Sequence, residues 1–91
     1  MKITVTYFAR PGRREEFLNR VVTAGILSAI REEDGCLRYD YYLSCQNEEE
    51  ILLLEEWESE AHQRLHMEQE HMKRLMDIKN DCIAETRVQK D

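Results

Sequence analysis

Four consecutive apolar residues, ILLL at 51–54, constrain the fold more than any other part of the chain. They open the segment ILLLEEW (51–57), which has the length and composition of a β-strand. Successive side chains of a strand point to opposite faces of its sheet, so this run needs cover on both faces. Helices can supply one cover, and the other has to come from elsewhere.

Three further segments are predicted to be strands: ITVTYFAR (3–10), CLRYDYYLS (36–44) and IAETRV (83–88). The first ends at Pro11-Gly12, which favours a turn. The second alternates, so that Tyr39 and Tyr41 share a face. The polar segment QNEEE (46–50) is predicted to be the hairpin loop before the ILLL strand.

Two regions show helical periodicity. The first begins at Arg13 and is predicted to be one helix of about 20 residues that ends near Glu33, with Gly35 as a left-handed stop. The second begins after Ser59, a plausible N-cap, and runs to about Asn80.

The order strand, helix, strand, strand, helix, strand is that of the split βαβ, or ferredoxin-like, fold. We predict one α+β domain over residues 1–91, with a four-stranded antiparallel sheet and helices on one face. The uncovered face would hold half of the ILLL segment. Because a chain of 91 residues buries only about two-thirds of the surface it exposes when unfolded, a homodimer through this open face is expected.

Charge and cysteine content bound the partners and the compartment. A net charge of −6 argues against nucleic acid or an anionic membrane as a partner. No apolar run approaches the ~20 residues of a membrane span, and the chain opens on a strand pattern instead of a signal peptide. Three widely spaced cysteines, Cys36, Cys45 and Cys82, match neither a disulfide framework nor a zinc motif. A reduced, cytoplasmic protein is expected.

The segment EEWESEAHQRLHMEQEH (55–71) holds the only tryptophan and all three histidines. Glu55 shares a strand face with apolar residues, so it can meet His66 descending from the covering helix. A carboxylate would orient the imidazole and raise its basicity, which makes the two a candidate catalytic pair. The alternative is that Glu55 is a solvent-facing charge at the sheet rim and His66 an ordinary helix residue.

The histidines are not expected to form a metal site. His62 and His66 have the i, i+4 spacing that permits chelation, but His71 falls nearly opposite His62 on a continuous helix. No HExxH motif supplies a catalytic glutamate. No glycine-rich phosphate loop and no flavin or nicotinamide fingerprint is present, so no cofactor is predicted.

Three segments, PGRREEF, DGCLRYDYY and LEEWESEAHQRLHMEQEHMKRL, resemble the antibiotic biosynthesis monooxygenase family of dimeric α/β barrels. The best motif is Trp57 followed by Glu-Ser, with His66 nine places on and His71 fourteen places on. The pattern is most similar to bacterial quinol monooxygenases. The resemblance implies a homodimer with functional residues at the Glu55 and His66 positions.

The chain departs from relatives in two places. Glu70 stands where the family often has a proline, so a softer break between two short helices is expected. The haem-degrading branch uses a first-strand asparagine, a helical tryptophan and a later histidine. Here the first strand lacks asparagine, and the other two positions hold His66 and Met76. Haem degradation is therefore not expected.

Six further residues are candidate ligand contacts: Trp57, Tyr39, Tyr41, Phe17, Val21 and His71. Each has a structural alternative. Trp57 can wedge the strand against the helix, and the tyrosines can face the dimer interface. Phe17 and Val21 can be core, and His71 can bond the backbone near the helix break.

The pattern leaves three functions open. The first is a cofactor-independent monooxygenase that oxidises a quinol or polyphenol-like aromatic with O₂, with His66 as base. The second is an isomerase of a small hydroxy-ketone that uses the same glutamate and histidine. The third is a non-catalytic dimer that binds a small aromatic molecule.

Overall fold

The chain folds into an antiparallel four-stranded sheet with four helices on one face. A computed structural model describes all 91 residues. The elements are β1 (Lys2–Ala9), α1 (Arg14–Thr23), α2 (Ile26–Arg31), β2 (Cys36–Leu43), β3 (Glu50–Trp57), α3 (Glu60–Met67), α4 (Glu70–Cys82) and β4 (Ile83–Lys90). The strand order is β2-β3-β1-β4, with every neighbouring pair antiparallel. The predicted ferredoxin-like fold is confirmed.

Each helical region consists of two helices. The prediction of one helix from Arg13 to Glu33 is wrong, because Gly25 takes a left-handed φ of 75° that ends α1 and starts α2 in a new direction. The second region breaks before α4, where Gln69 is extended and Glu70 begins the helix. The break therefore forms with glutamate in the place of the family's proline. Ser59 caps α3 as predicted.

Strand β3 presents two different faces. Ile51, Leu53 and Glu55 point toward the helices with Trp57, and all four are buried. Leu52 and Leu54 point to the opposite face, where they are partly exposed. The alternation predicted from the sequence is confirmed, and the pairing of the open face with a second chain stays a prediction.

The core lies between the helix side of the sheet and the helices. β1 contributes Ile3, Val5 and Tyr7 at alternate positions. The helices contribute seven buried core residues: Phe17, Val21, Ile26, Ile30, Leu75, Ile78 and Cys82. This packing fixes α3 and α4 over the end of β3 that carries Glu55 and Trp57.

Gly35 shapes the turn that leads into β2, although it lies four residues beyond the end of α2 and does not cap it. Its φ is 81°, and a Cβ at this position would overlap the imidazole of His62. His62 is held there by the Ser59 hydroxyl at 2.7 Å and the Asp34 carboxylate at 3.3 Å. Only glycine satisfies both the backbone angle and this close approach.

Substituting alanine for Gly35 is expected to destabilise the fold by at least about 2 kcal/mol, from backbone strain and displacement of His62. Gly12→Ala is the matched control, because Gly12 has a similar φ of 75° and open space around its Cα. It is expected to cost about 1 kcal/mol. Urea unfolding of both variants measures the difference, and equal losses would contradict a role for the His62 contact.

The sequence led us to expect no membrane-spanning helix and no disulfide bond. None of the helices combines the length and apolarity that crossing a membrane requires. The three cysteines are free: Cys45 is exposed, Cys36 is half-buried and Cys82 is buried.

Candidate active site

A cavity of about 450 Å³ lies between the helix side of the sheet and helices α3 and α4. Its wall is mostly apolar, with side chains from β1, α3, α4 and the edge strand β4. Five glutamate, histidine and lysine side chains also line it: Glu55, His66, Lys73, Lys79 and Lys90. An apolar cavity of this size with a few polar groups suits a small aromatic molecule.

Three predicted site residues line this cavity: Glu55, His66 and Tyr39. Glu55 pairs with Ile3 on one side and Tyr39 on the other, so the three form one row across the helix face of the sheet. His66 lies in the last turn of α3 and is 1% exposed. Glu55 and His66 therefore line the same cavity, and their catalytic roles stay a prediction.

The expected hydrogen bond between Glu55 and His66 is not formed. Glu55 Oε1 instead accepts a hydrogen bond of 3.0 Å from Trp57 Nε1, two residues along the same strand face. The Trp57 ring also packs against the His66 ring, with centroids 4.5 Å apart. Trp57 therefore contacts both members of the predicted pair.

The carboxylate that bonds His66 belongs to Glu33, which the sequence prediction missed. His66 Nδ1 lies 2.9 Å from Glu33 Oε2, and His71 Nε2 lies 2.6 Å from the same oxygen. The Glu33 side chain is 10% exposed, and that of His71 is 13% exposed. His71 thus bonds a carboxylate and not the backbone group considered from the sequence.

This geometry selects one tautomer of the neutral His66 ring. An ionised carboxylate can only accept, so Nδ1 carries the proton that His66 donates to Glu33. Nε2 of the neutral ring is then a free base. It has no hydrogen-bond partner in the protein, and the residue lines the cavity. A ligand hydroxyl in the cavity can occupy that position.

Burial raises the pKa of Glu55, and the Glu33 charge acts in the same direction. The Trp57 hydrogen bond, the His66 charge and the Lys79 charge oppose this shift without cancelling it. The carboxyl group therefore keeps its proton to a higher pH than an ordinary glutamate. A protonated Glu55 can donate a hydrogen bond to a ligand oxygen.

Stability is expected to depend on pH through Glu55. A carboxyl group with a raised pKa in the folded state binds more protons folded than unfolded, so its contribution falls as pH rises through that pKa. The free energy of unfolding of wild type, minus that of Glu55→Gln, should therefore decrease above the ordinary glutamate pKa of about 4.3. Urea titrations of both proteins over a pH series measure this difference in the free energy of unfolding. A difference that rises with pH would contradict a raised pKa of Glu55.

Four of the predicted ligand contacts are not among the residues that line the cavity: three are buried in the core, and Tyr41 is half-buried against it. Phe17 and Val21 of α1 are completely buried, and the Phe17 ring packs against Tyr7 and Tyr41. The Tyr41 hydroxyl is buried without a hydrogen-bond partner. With the buried Trp57 they belong to the packing around the core, outside the cavity wall. His71, the fifth residue outside the wall, reaches the site through Glu33.

Lys79 is a second residue that sequence reasoning missed. Its ammonium group lies 5.0 Å from the centre of the Tyr7 ring, and it lines the cavity. Burial lowers its pKa, and the Glu55 charge partly offsets that effect. The sequence did contain an indication of this position, because Lys79 shares one helix face with Met72 and Leu75 through the i, i+3, i+7 spacing.

Glu33, His66 and His71 also have the side chains of a metal site. Their ligand atoms lie within 4.8 Å of one another, and two imidazoles with a carboxylate suit a divalent transition metal. The nitrogen–oxygen separations of 2.9 and 2.6 Å are those of hydrogen bonds. The absence of a functional metal stays a prediction. His62, considered from the sequence as the chelating partner of His66, bonds Ser59 and Asp34 instead.

The fold and cavity define a small ferredoxin-like protein with acid–base side chains in an apolar pocket. Over residues 1–77 the chain matches the family described as "Antibiotic biosynthesis monooxygenase". The chain belongs to that family, which confirms the resemblance seen in the sequence motifs.

Relatives agree with this assignment. The chain is 32% identical to the Bacillus subtilis protein YcnE, for which monooxygenase activity has been proposed, over 62 residues. That stretch covers 68% of this chain and 63% of YcnE, less than two thirds of its length. The crystal structure of PA3566 from Pseudomonas aeruginosa superposes with a TM-score of 0.84 at 25% identity, covering 97% of this chain and 87% of the other. A conserved Methanosarcina mazei protein gives 0.83 at 26% identity, covering 97% and 86%.

Proposed function

We propose that the protein is a cofactor-independent monooxygenase that oxidises a quinol or polyphenol-like aromatic with O₂. The observation that carries the proposal is the buried His66 ring, held through Nδ1 by Glu33, with Nε2 unpartnered in a residue that lines an apolar cavity. A free imidazole base positioned in this way is suited to remove a phenolic proton. Family membership supports the reaction class.

The substrate supplies the electrons in this reaction. His66 Nε2 takes a proton from the aromatic hydroxyl, and the resulting anion passes one electron to O₂. The aryl-oxyl radical and superoxide combine at a ring carbon that carries a hydrogen, and the His66 imidazolium returns its proton to form a hydroperoxide. Loss of that ring C–H proton with cleavage of the O–O bond leaves one oxygen atom in the product as a carbonyl. The other oxygen atom leaves as water. The protein's task is to remove the proton, stabilise the anion and exclude bulk water.

Three residues divide these tasks. His66 is the base, and Glu33 is a positioning residue because it holds the ring and stabilises the imidazolium that forms. Glu55, oriented by the Trp57 indole, faces the cavity and bonds a second ligand oxygen. The predicted Glu–His catalytic pair thus becomes two separate contacts, one on each side of the ligand.

Oxygen labelling tests the proposal. Reduced menadione is supplied with ¹⁸O₂ in the presence of a metal chelator, and the product is analysed by mass spectrometry. A monooxygenase incorporates one labelled atom and forms no hydrogen peroxide. Simple autoxidation leaves the quinone unlabelled and produces peroxide, so unlabelled quinone at the rate of a protein-free control would reject the proposal.

One observation favours the isomerase as a second candidate. A carboxyl group whose pKa is raised by burial can stay protonated and donate to a carbonyl oxygen, while His66 removes the neighbouring proton. Such an enzyme would exchange solvent deuterium into a hydroxy-ketone without consuming O₂. Dihydroxyacetone, followed by proton NMR in D₂O, is a suitable probe.

We also propose that the open sheet face pairs with a second copy of the chain. Leu52 and Leu54 are partly exposed at its centre, with Phe8 and Tyr42 beside them. Arg87 lies over the Phe8 ring, and Arg38 lies over Tyr42, so charges surround the apolar patch. An apolar centre with a polar rim is the usual form of a protein interface.

Leu54→Glu is expected to convert the dimer to a monomer, because it places two like carboxylates in the buried centre of a symmetric interface. Light scattering after size exclusion measures the mass directly. The control is Val22→Glu, which adds the same charge on an exposed position of α1, on the helix side of the molecule. A wild-type mass of one chain at micromolar concentration would contradict the proposal.

A further inference from the structure

The cavity gathers positive charge in a chain whose net charge is −6. Three lysines line it, Lys73, Lys79 and Lys90, and Glu55 is the only acidic residue among the lining side chains. A cavity that binds a neutral aromatic molecule does not require any of these lysines. The positive charge of the cavity wall therefore bears on the charge of the ligand.

Lys79 differs from the other two lysines. Lys73 is exposed and pairs with Glu70 at 3.2 Å, and Lys90 is exposed near the end of the chain. Lys79 is half-buried, and no carboxylate lies within 4.0 Å of its ammonium group. The Tyr7 ring at 5.0 Å compensates for only part of the lost hydration. Lys79 is thus a partly desolvated cation with no carboxylate in direct contact.

Lys79 lies near Glu55 without direct contact between the two charged groups. Each charge shifts the pKa of the other group, whereas the ammonium and carboxylate atoms are more than 4.0 Å apart. The ammonium group itself lies over the Tyr7 ring. An aromatic ligand with two polar substituents can reach both Lys79 and His66, because both residues line the same cavity.

We propose that the ligand of this cavity is an anionic aromatic molecule, whose acidic substituent binds Lys79 while its hydroxyl group faces His66. The hydroxyl end rests on the proposed function, and the acidic end rests on the unpaired Lys79. Lys79 is then a specificity residue, because a neutral analogue leaves its charge without a partner.

Calorimetry with two stable probes tests the proposal. 6-Hydroxy-2-naphthoate and 2-naphthol share one ring system, and only the first carries a carboxylate, opposite its hydroxyl group. Wild type is expected to bind the naphthoate about tenfold more tightly, the size of one charge-assisted hydrogen bond. Lys79→Met should remove this preference without weakening 2-naphthol, because the methionine keeps the apolar stem. Lys79→Arg should retain the preference.

Lys73→Met is the matched control, since it removes a lysine from the same wall, and it should keep the full preference. Equal affinity of wild type for the two probes, or a preference that survives in Lys79→Met, would overturn the proposal. Failure of both probes to bind at millimolar concentration would overturn it as well. The measurement involves no turnover, so its outcome is independent of the labelling experiment with O₂.

Discussion

His66→Asn is expected to lower kcat/KM for reduced menadione by at least about 100-fold, the lower end of what a general base contributes. The asparagine amide nitrogen occupies nearly the position of Nδ1, so it can still donate to Glu33. The variant therefore removes Nε2 while keeping the contact that joins α3 to the segment after α2. The measurement is oxygen uptake corrected for autoxidation, with labelled product counted separately.

His62→Asn provides the comparison for this variant. His62 lies one helical turn before His66 on α3, but it bonds Ser59 and Asp34 and does not line the cavity. The kcat/KM of His62→Asn for reduced menadione should stay within about twofold of wild type, because this substitution lies away from the reacting atoms. If His66→Asn and His62→Asn behave alike, His66 is not the base.

Glu33→Gln is expected to lower kcat by about 10- to 100-fold with little change in KM, the size typical of a group that orients a functional histidine. A glutamine presents one accepting oxygen and one donating nitrogen, whereas Glu33 accepts from two imidazoles at a single oxygen. His66 then loses the constraint on its tautomer. Nitrogen NMR of the ring should show Nδ1–H in wild type and a mixture of tautomers in the variant.

Glu32→Gln is the control for the Glu33 variant. Glu32 is exposed and adjacent, so the substitution changes the net charge by the same amount without touching the imidazoles. It should retain the wild-type rate and the wild-type tautomer. An unchanged His66 tautomer and rate in Glu33→Gln would reject the positioning role, even if that variant were less stable.

The faces of the strands could be predicted because the period of two in β3 leaves a single choice once Ile51 and Leu53 are placed inside. Glu55 and Trp57 then follow onto the same face. The break between α1 and α2 could not be predicted, because the helical pattern of apolar residues continues through it. Gly25 fits that pattern as a small residue, and only the backbone reveals its left-handed φ.

The histidine cluster was missed because the histidine positions were compared on a continuous helix, although a soft break before Glu70 was expected. His66 and His71 are five residues apart, which places them about 140° from one another on an unbroken α-helix. The extended Gln69 redirects the chain, and both rings reach the same carboxylate. Glu33 itself is 33 residues from His66 in sequence, and no local pattern relates a residue after one helix to a side chain of another.

One wall of the cavity is built by residues that follow the stretch matched to the family. Residues 1–77 match the family, whereas Lys79, Thr86, Val88 and Lys90 lie beyond that stretch and still line the cavity. The proposed base His66 and its partner Glu33 lie within the matched stretch, and the proposed specificity residue Lys79 lies after it. If both proposals hold, substitutions in β4 and at the end of α4 can alter ligand preference while the contact between His66 and Glu33 is kept.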